Sequence, residues 1–345
     1  MREISSLEIR DEPQLGVARR AVRNFAERIG FGETALEEVN IVVQEIGTNA
    51  VRYATDGGWL HFTEPMGTKG LELFYWDKGP GIYNLDMAIN DGVSTSGSLG
   101  SGLGSIRRLS DEFEVYSTVR TTSRLARRRS SHGTSLLVRK WLGAPRRIEQ
   151  GSSDLGRRIG VWSRPHQHET LNGDGYFMLT RDDRTLVAVI DGLGHGAGAK
   201  EATDVAIGML EEWNGEGVDE VILGVHDALR ATRGAVMGAA IIDRADELIH
   251  FAGVGNISAR AFETPNRFQP LSTNGTLGAR LGRLRVWSER WADGATLVMA
   301  SDGISESWEI QSYPDLLKKS PQLLAGVLMR DYGRETDDAT VLVVR

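Results

Sequence analysis

Leu186-Val-Ala-Val-Ile-Asp-Gly-Leu-Gly-His-Gly196 decides the fold of the C-terminal half. Five apolar residues, three of them β-branched, run straight into an aspartate and three alternating glycines. A run this short between turn residues reads as a buried strand, with the aspartate at its end. Outward from it, further strand-like runs cover residues 159–163, 176–180, 238–242, 248–252, 259–262, 296–300 and 339–344. Helical periodicity marks 197–213, 218–233 and 313–329. Many strands with a few long helices predict a β-sandwich flanked by helices.

Four turns in this half carry aspartate. Asp174 stands in Asn172-Gly-Asp-Gly-Tyr176, Asp191 in the stretch above, Asp302 in Ser301-Asp-Gly-Ile304, and Asp337 with Asp338 in Thr336-Asp-Asp-Ala-Thr340. Singly, each is an ordinary cap or turn former. Together, three flanked by glycine, they can bring carboxylates to one edge of the sandwich. An all-oxygen ligand set suits Mg²⁺ or Mn²⁺. Two such ions can activate a water and clamp a phosphoryl group.

The first half has a different pattern. Asp11 and Pro13 open a helix, and Thr34-Ala-Leu-Glu37 has the form of a capping box opening a second one that runs to about Ala54. Glu45 and Asn49 share a face of that second helix. The strand-like runs 59–63 and 71–76 follow, the latter leading into Asp77-Lys-Gly-Pro-Gly-Ile82. Gly100-Ser-Gly-Leu-Gly104 precedes a short helix from Ser105, and glycines before a helix let amide N–H groups face phosphate oxygens. Residues 112–118 and 134–141 read as closing strands, which predicts a two-layer α/β sandwich.

The chain has 345 residues, enough for two domains. A polar stretch at 142–152, with Pro145 and Gly151, separates residues 1–141 from 153–345. There is no cysteine, which excludes disulfides and zinc–thiolate sites and fits a reducing compartment. No apolar run reaches membrane-span length and residues 1–12 lack a signal-peptide core, so the expected location is cytoplasmic, with no membrane association. Net charge is −7, and residues 151–345 hold 20 Lys/Arg against 28 Asp/Glu, which argues against nucleic acid as a partner. The arginine-rich stretch Arg124–Arg129 reads as a solvated loop. Glycine is over-represented, at 41 residues, and is expected where backbone approaches phosphate or metal.

The ordered set in the first half resembles the Bergerat ATP-binding fold, and the stretch from Asp91 through Gly100-Ser-Gly-Leu-Gly104 to Glu114 is most similar to the RsbT-type switch kinases of the stressosome. The resemblance implies ATP with Mg²⁺ as cofactor, Asn49 holding the Mg²⁺, and Glu45 as general base toward a Ser/Thr hydroxyl. It implies that Asp77 reads the adenine amine with clearance from Gly79 and Gly81, that Gly100, Gly102 and Gly104 line the phosphates, and that Thr134 helps at the base. The aspartate set of the second half resembles the type 2C metal-dependent protein phosphatases in their SpoIIE-like branch, and Asp191–Gly196 with Ala252-Gly-Val-Gly-Asn256 looks RsbX-type. This implies an α-β-β-α sandwich with two Mn²⁺ or Mg²⁺ ions, bridged by Asp174 and Asp191. The Gly192 carbonyl would join one ion, and Asp302 and Asp337 would hold the other. Asp337 fits the ligand role better than Asp338, and His195 has no assigned role beyond a candidate proton donor. The joint expectation is an α/β protein fusing a switch kinase to a phosphatase, both acting on STAS-domain signalling proteins, with a sigma-factor regulatory protein as a further partner. Two rival readings stay open: a phosphatase whose Bergerat domain only senses nucleotide or partner, and a non-enzymatic binding module.

Overall fold

The computed structural model describes residues 4–90, 102–119, 132–143 and 155–345. Gly100, the Arg124–Arg129 stretch and most of the 142–152 linker lie outside the described residues. The chain divides into two compact units. One holds the residues up to Arg158 together with Glu309–Val327, and the other holds Ile159–Trp308 together with Leu328–Arg345.

The first unit begins with β1 (Ser5–Ile9), α1 (Glu12–Ile29) and α2 (Glu33–Tyr53). β2 (Gly58–Thr63), β3 (Gly70–Asp77), α3 (Leu85–Ile89), α4 (Gly102–Leu109), β4 (Glu112–Thr118) and β5 (Gly133–Trp141) follow, then the single turn α5 (Leu155–Arg158). The five strands form one antiparallel sheet in the order β1-β2-β3-β5-β4. Its inward positions alternate along each strand, as Leu71, Leu73 and Tyr75 do on β3, and pack on Leu15, Ala18 and Val22 of α1 and Val39, Val42, Val43 and Ile46 of α2. This is the expected α/β sandwich.

Asp11 caps α1, its Oδ1 accepting the Gln14 amide at 2.8 Å. The capping box expected at Thr34 does not form. Extended Gly32 is the N-cap of α2, and its carbonyl accepts the Leu36 amide. The helix therefore starts one residue before Thr34, and Glu33 in its first turn pairs with Arg23 of α1.

The second unit contains β6 (Ile159–Arg164), β7 (Asp174–Arg181), β8 (Arg184–Gly192), α6 (Ala197–Glu211), α7 (Val218–Ala228), β9 (Ala235–Asp243), β10 (Leu248–Val254) and β11 (Ser258–Phe262). A two-stranded hairpin, β12 (Gly275–Thr276) and β13 (Arg280–Leu281), leads to β14 (Trp287–Arg290) and β15 (Thr296–Ala300). α8 (Pro321–Tyr332), whose residues up to Val327 belong to the first unit, precedes β16 (Ala339–Val344). One sheet has the order β14-β10-β9-β8-β7 and the other β11-β15-β16-β6. Ala202, Ala206 and Leu210 of α6 and Val218, Ile222 and Val225 of α7 cover the first sheet through Leu186, Ala188, Ile190, Met237 and Ala239. Small residues on both partners let helix and sheet approach closely.

One helix expectation is corrected. Periodicity pointed to a helix over 313–329, but α8 starts only at Pro321. Proline tolerates the first helical turn and not the interior, so the helix nucleates there, with the Ser320 hydroxyl accepting the Leu323 amide.

Candidate functional site

In the first unit, Glu45 and Asn49 both lie half-buried on α2. α4 brings Gly102 onto them: a Cβ there would sit 3.2 Å from Glu45 Oε2 and 3.5 Å from Asn49 Nδ2. The first turn of α4 therefore meets the carboxylate and the amide that the sequence had placed on one helix face. Gly104 is buried in the same helix.

Asp77 ends β3 and is buried. Its Oδ1 accepts the amides of Gly79 (2.7 Å) and Thr134 (3.2 Å), and its Oδ2 accepts the Tyr75 hydroxyl (3.0 Å). Three donors hold the carboxylate in one orientation, with acceptor capacity left for an amine. Burial, and then the charge of Asp77, push the Tyr75 hydroxyl well above its ordinary value. The Thr134 hydroxyl pairs with Ser117 Oγ at 3.1 Å, and Ser117 Oγ also takes the Ile82 amide. Gly81 is at φ +77°, and a Cβ there would lie 2.1 Å from the Thr118 carbonyl oxygen. Only glycine fits that turn. Sequence reading missed Tyr75, Ser117 and His132, whose Nδ1 lies 2.8 Å from the Gly79 carbonyl oxygen. The alternation of β3 could have suggested Tyr75, two residues from Asp77 and on its face.

In the second unit, Asp174 and Asp191 are direct cross-strand partners on β7 and β8. Like charges in that arrangement repel. Burial first, and then the charges of Asp338 and Asp302, push the Asp174 carboxyl up to about 7, against opposing hydrogen bonds from Ser301 and Thr340. Burial, then Asp174, Asp302, Asp337 and Asp338, push Asp191 up to about 9. Burial first, and then the charge of Asp337, raise the Asp302 carboxyl, against the opposing charge of Arg334. The charges of Asp174, Asp302, Asp337 and Asp338 thus all reach Asp191, which gathers the four aspartate-bearing turns at one place.

The surroundings sort these groups. Ser301 Oγ donates to Asp174 Oδ2 at 2.6 Å while accepting the Thr340 amide, and Asp174 Oδ1 is buried with no hydrogen-bond partner. Asp338 accepts the His166 amide on Oδ1 and the Gly173 amide on Oδ2, so both its oxygens serve the backbone, whereas half-buried Asp337 gives Oδ1 to the Asp338 amide and its charge raises Asp302. Asn256 Nδ2 donates to Asp302 Oδ2 at 2.6 Å, a contact the sequence did not disclose. A Cβ on Gly192 would strike the Ala199 carbonyl oxygen at 2.2 Å, so that glycine is fixed by packing of the loop on α6. His195 Nδ1 lies 2.7 Å from Glu169 Oε1, and its ring stacks on that of His166.

A divalent ion fits this chemistry. Neighbouring carboxylates, with Asp174 1% exposed, its Oδ2 held by Ser301 and its Oδ1 unpartnered, are a donor set that a hard dication neutralises. Among the described residues, no three such side chains are yet gathered in coordinating geometry.

The comparisons agree with both halves. Residues 8–126 match the histidine kinase-like ATPase domain family, and residues 181–345 match the family of stage II sporulation protein E. The chain is 33% identical over 143 residues to the serine/threonine-protein kinase RsbT of Bacillus subtilis, covering 41% of this chain and 99% of that protein. It is 24% identical over 147 residues to the phosphoserine phosphatase RsbX of the same organism, covering 42% of this chain and 73% of that protein. A solved chain described under the bacterial stressosome, a modular system adapted to control secondary messenger signaling, superposes with a TM-score of 0.52 at 30% identity, covering 55% of this chain and 98% of that one. Among the described residues no helix is long and apolar enough to cross a membrane. With its N-terminal part the chain belongs to the RsbT family of histidine kinase-like ATPases, fused in one polypeptide to a SpoIIE-like domain of the type 2C phosphatase fold.

Proposed function

We propose that the chain is a two-way switch that phosphorylates serine or threonine on a STAS-domain partner and removes the same phosphoryl group. The observation that carries this reading is that each centre keeps a group that chemistry needs and binding does not. Glu45 stands beside the α4 turn, and Asp174 keeps an unpartnered carboxylate oxygen in its aspartate cluster.

In the first unit, Asp77 would accept the adenine amine, and Tyr75, Gly79 and Thr134 fix its orientation for that. Gly79 and Gly81 keep the turn flat. Gly102 and Gly104 would line the phosphates of ATP, and Asn49 would hold the Mg²⁺ that accompanies it; Gly100 lies outside the described residues. Glu45 takes the proton of the incoming hydroxyl. Phosphoryl transfer of this kind is mostly positioning and charge neutralisation.

In the second unit, Asp174 and Asp191 would hold two Mn²⁺ or Mg²⁺ ions in common, the Gly192 carbonyl would join one, and Asp302 with Asp337 the other. When bound, the ions supply Lewis acidity toward the phosphoryl oxygens. Four carboxylates match the charge of two dications. Ser301 holds Asp174 Oδ2 and leaves Oδ1 to its ligand, and the Asn256 amide does the same for Asp302.

The test uses purified protein, radiolabelled ATP and STAS-domain partners. Label should accumulate on a partner with Asp174→Asn and fail to appear with Glu45→Ala. An Asp174→Asn protein that binds ATP yet labels no partner removes the kinase half. Wild-type protein that hydrolyses neither phosphoserine nor an aryl phosphate with Mn²⁺ removes the phosphatase half.

A further inference from the structure

Between Glu263 and Glu289 the chain carries Arg267, Arg280, Arg283 and Arg285 and no acidic residue, inside a half that is otherwise acidic. Arg280, Arg283 and Arg285 are exposed, and none of them forms an ion pair among the described residues. Arg285 stacks on the Trp287 ring, 3.6 Å from its centroid. The Trp287 indole donates to the Leu271 carbonyl, and Leu271 and Val286 are 70% and 42% exposed. Cationic and apolar groups are thus left open to solvent side by side.

The backbone ties this segment to the metal-binding loop. Gly192 is the register partner of Ala235. Ala235 exchanges both backbone hydrogen bonds with Leu277, at 2.8 and 3.2 Å. Gly192, Ala235 and Leu277 therefore lie in a row at strand spacing, which puts the β12–β13 hairpin about 10 Å from Gly192. Arg233 lies between them. Its neighbour Gly234 accepts the Leu193 amide, and its guanidinium rests on the first turn of α6, where a Cβ on Gly198 would meet Nε at 2.5 Å. Arg233 is also exposed and without an ion pair among the described residues.

We infer that Arg233, Arg280, Arg283 and Arg285 form a docking track for an acidic segment of the phosphoprotein substrate, a reading that rests on the phosphatase activity proposed above. Guanidinium groups suit carboxylates through paired hydrogen bonds. Exposed Leu271 and Val286 supply the aliphatic contacts that a peptide side chain fills and a nucleic-acid backbone does not. An extended peptide rises about 3.3 Å per residue, so the acidic residues fall from about the third position away from the phosphoserine. Selectivity by such a track is electrostatic and sensitive to salt.

The experiment uses the full chain with Mn²⁺ and three substrates: a phosphoserine peptide with glutamates from about the third position outward on both sides, its glutamine counterpart, and p-nitrophenyl phosphate. Wild type should show kcat/KM at least about 10-fold higher for the glutamate peptide, mainly through KM, and should lose that preference in about 0.5 M salt. Arg280→Glu/Arg283→Glu/Arg285→Glu should lose the preference and keep its turnover of p-nitrophenyl phosphate. Equal treatment of the two peptides by wild type, or a preference that survives the triple reversal, overturns the track. If none of the three substrates is hydrolysed, the phosphatase reading fails instead, and docking is then read by fluorescence anisotropy of the labelled glutamate peptide. Binding no tighter than that of the glutamine peptide, binding unchanged in the triple variant, or equal displacement by a short oligo(dT), overturns it.

Discussion

Replacing Asp191 by asparagine should stabilise the metal-free protein while abolishing its metal response. Burial and four neighbouring aspartates push the Asp191 carboxyl from 3.8 up to about 9. Folding at pH 7 without metal therefore requires this group to take up a proton. The sign follows from linkage. Between about pH 4 and pH 9 the folded state binds more protons than the unfolded chain, so stability falls as pH rises through that window. Over the roughly three pH units between the ordinary value and pH 7, the ceiling on the cost is about 4 kcal/mol. Asparagine keeps the shape and cannot ionise. In chelator, Asp191→Asn should exceed wild type by up to about 4 kcal/mol at neutral pH and by almost nothing near pH 4. Urea unfolding at several pH values measures this, with the C-terminal transition identified as the one that Mn²⁺ shifts. At a Mn²⁺ concentration about 100 times Kd, wild type should gain about 2.7 kcal/mol and the variant far less. An asparagine variant less stable than wild type in chelator at pH 8, or a wild-type stability that does not fall with rising pH, would refute the reasoning.

Other expectations follow from particular contacts. Asn256→Ala removes the donor on Asp302, and aryl phosphatase turnover should fall about 10-fold at an unchanged melting temperature, in line with losses from supporting groups around a metal. Gly81→Ala meets the Thr118 carbonyl in a left-handed turn, so ATP affinity measured by calorimetry should collapse. Arg139→Met removes the guanidinium paired at 2.7 Å with Glu72, which is 1% exposed, and should cost about 3–5 kcal/mol in chemical denaturation, with Glu72→Gln/Arg139→Met recovering much of it. Tyr75→Phe should weaken ATP binding and leave GTP binding unmoved, because it loosens only the carboxylate that reads the amine.

Legibility in the sequence tracked how local each determinant is. Residues 296–300 and 339–344 were readable with the bounds of β15 and β16, because each is a short run, apolar but for one threonine, with every residue buried. β1 was not readable. Ser5-Ser-Leu-Glu-Ile9 acquires its role only by pairing with β2, about 50 residues away. The β12–β13 hairpin and β14 were missed for a related reason, since arginines and glycines carry no strand periodicity. Of the site, the residues on fixed turns were legible, and Asp174, Asp191 and Asp302 stand where strands begin or end. Ser301, Asn256 and Tyr75 were not, because their meaning lies in the atom they touch. The glycine excess had a further cause: Gly192 and Gly81 admit neighbouring backbone as well as any ligand.

The pairing of Asp174 with Asp191 also bears on the order in which the protein assembles. β7 and β8 are joined by the two-residue turn Asp182-Asp183, with Asp182 at φ 51°, a conformation that aspartate tolerates better than most side chains. A hairpin of that length closes in about 1–10 μs. Asp302 and Asp337 arrive from more than about 100 residues downstream, through slower long-range pairing. Half of the acidic centre is thus born early and alone, two carboxylates face to face before their partners exist. Divalent ions present during refolding can act on that nascent hairpin as a template, so Mn²⁺ should speed the C-terminal folding phase as well as stabilise its product.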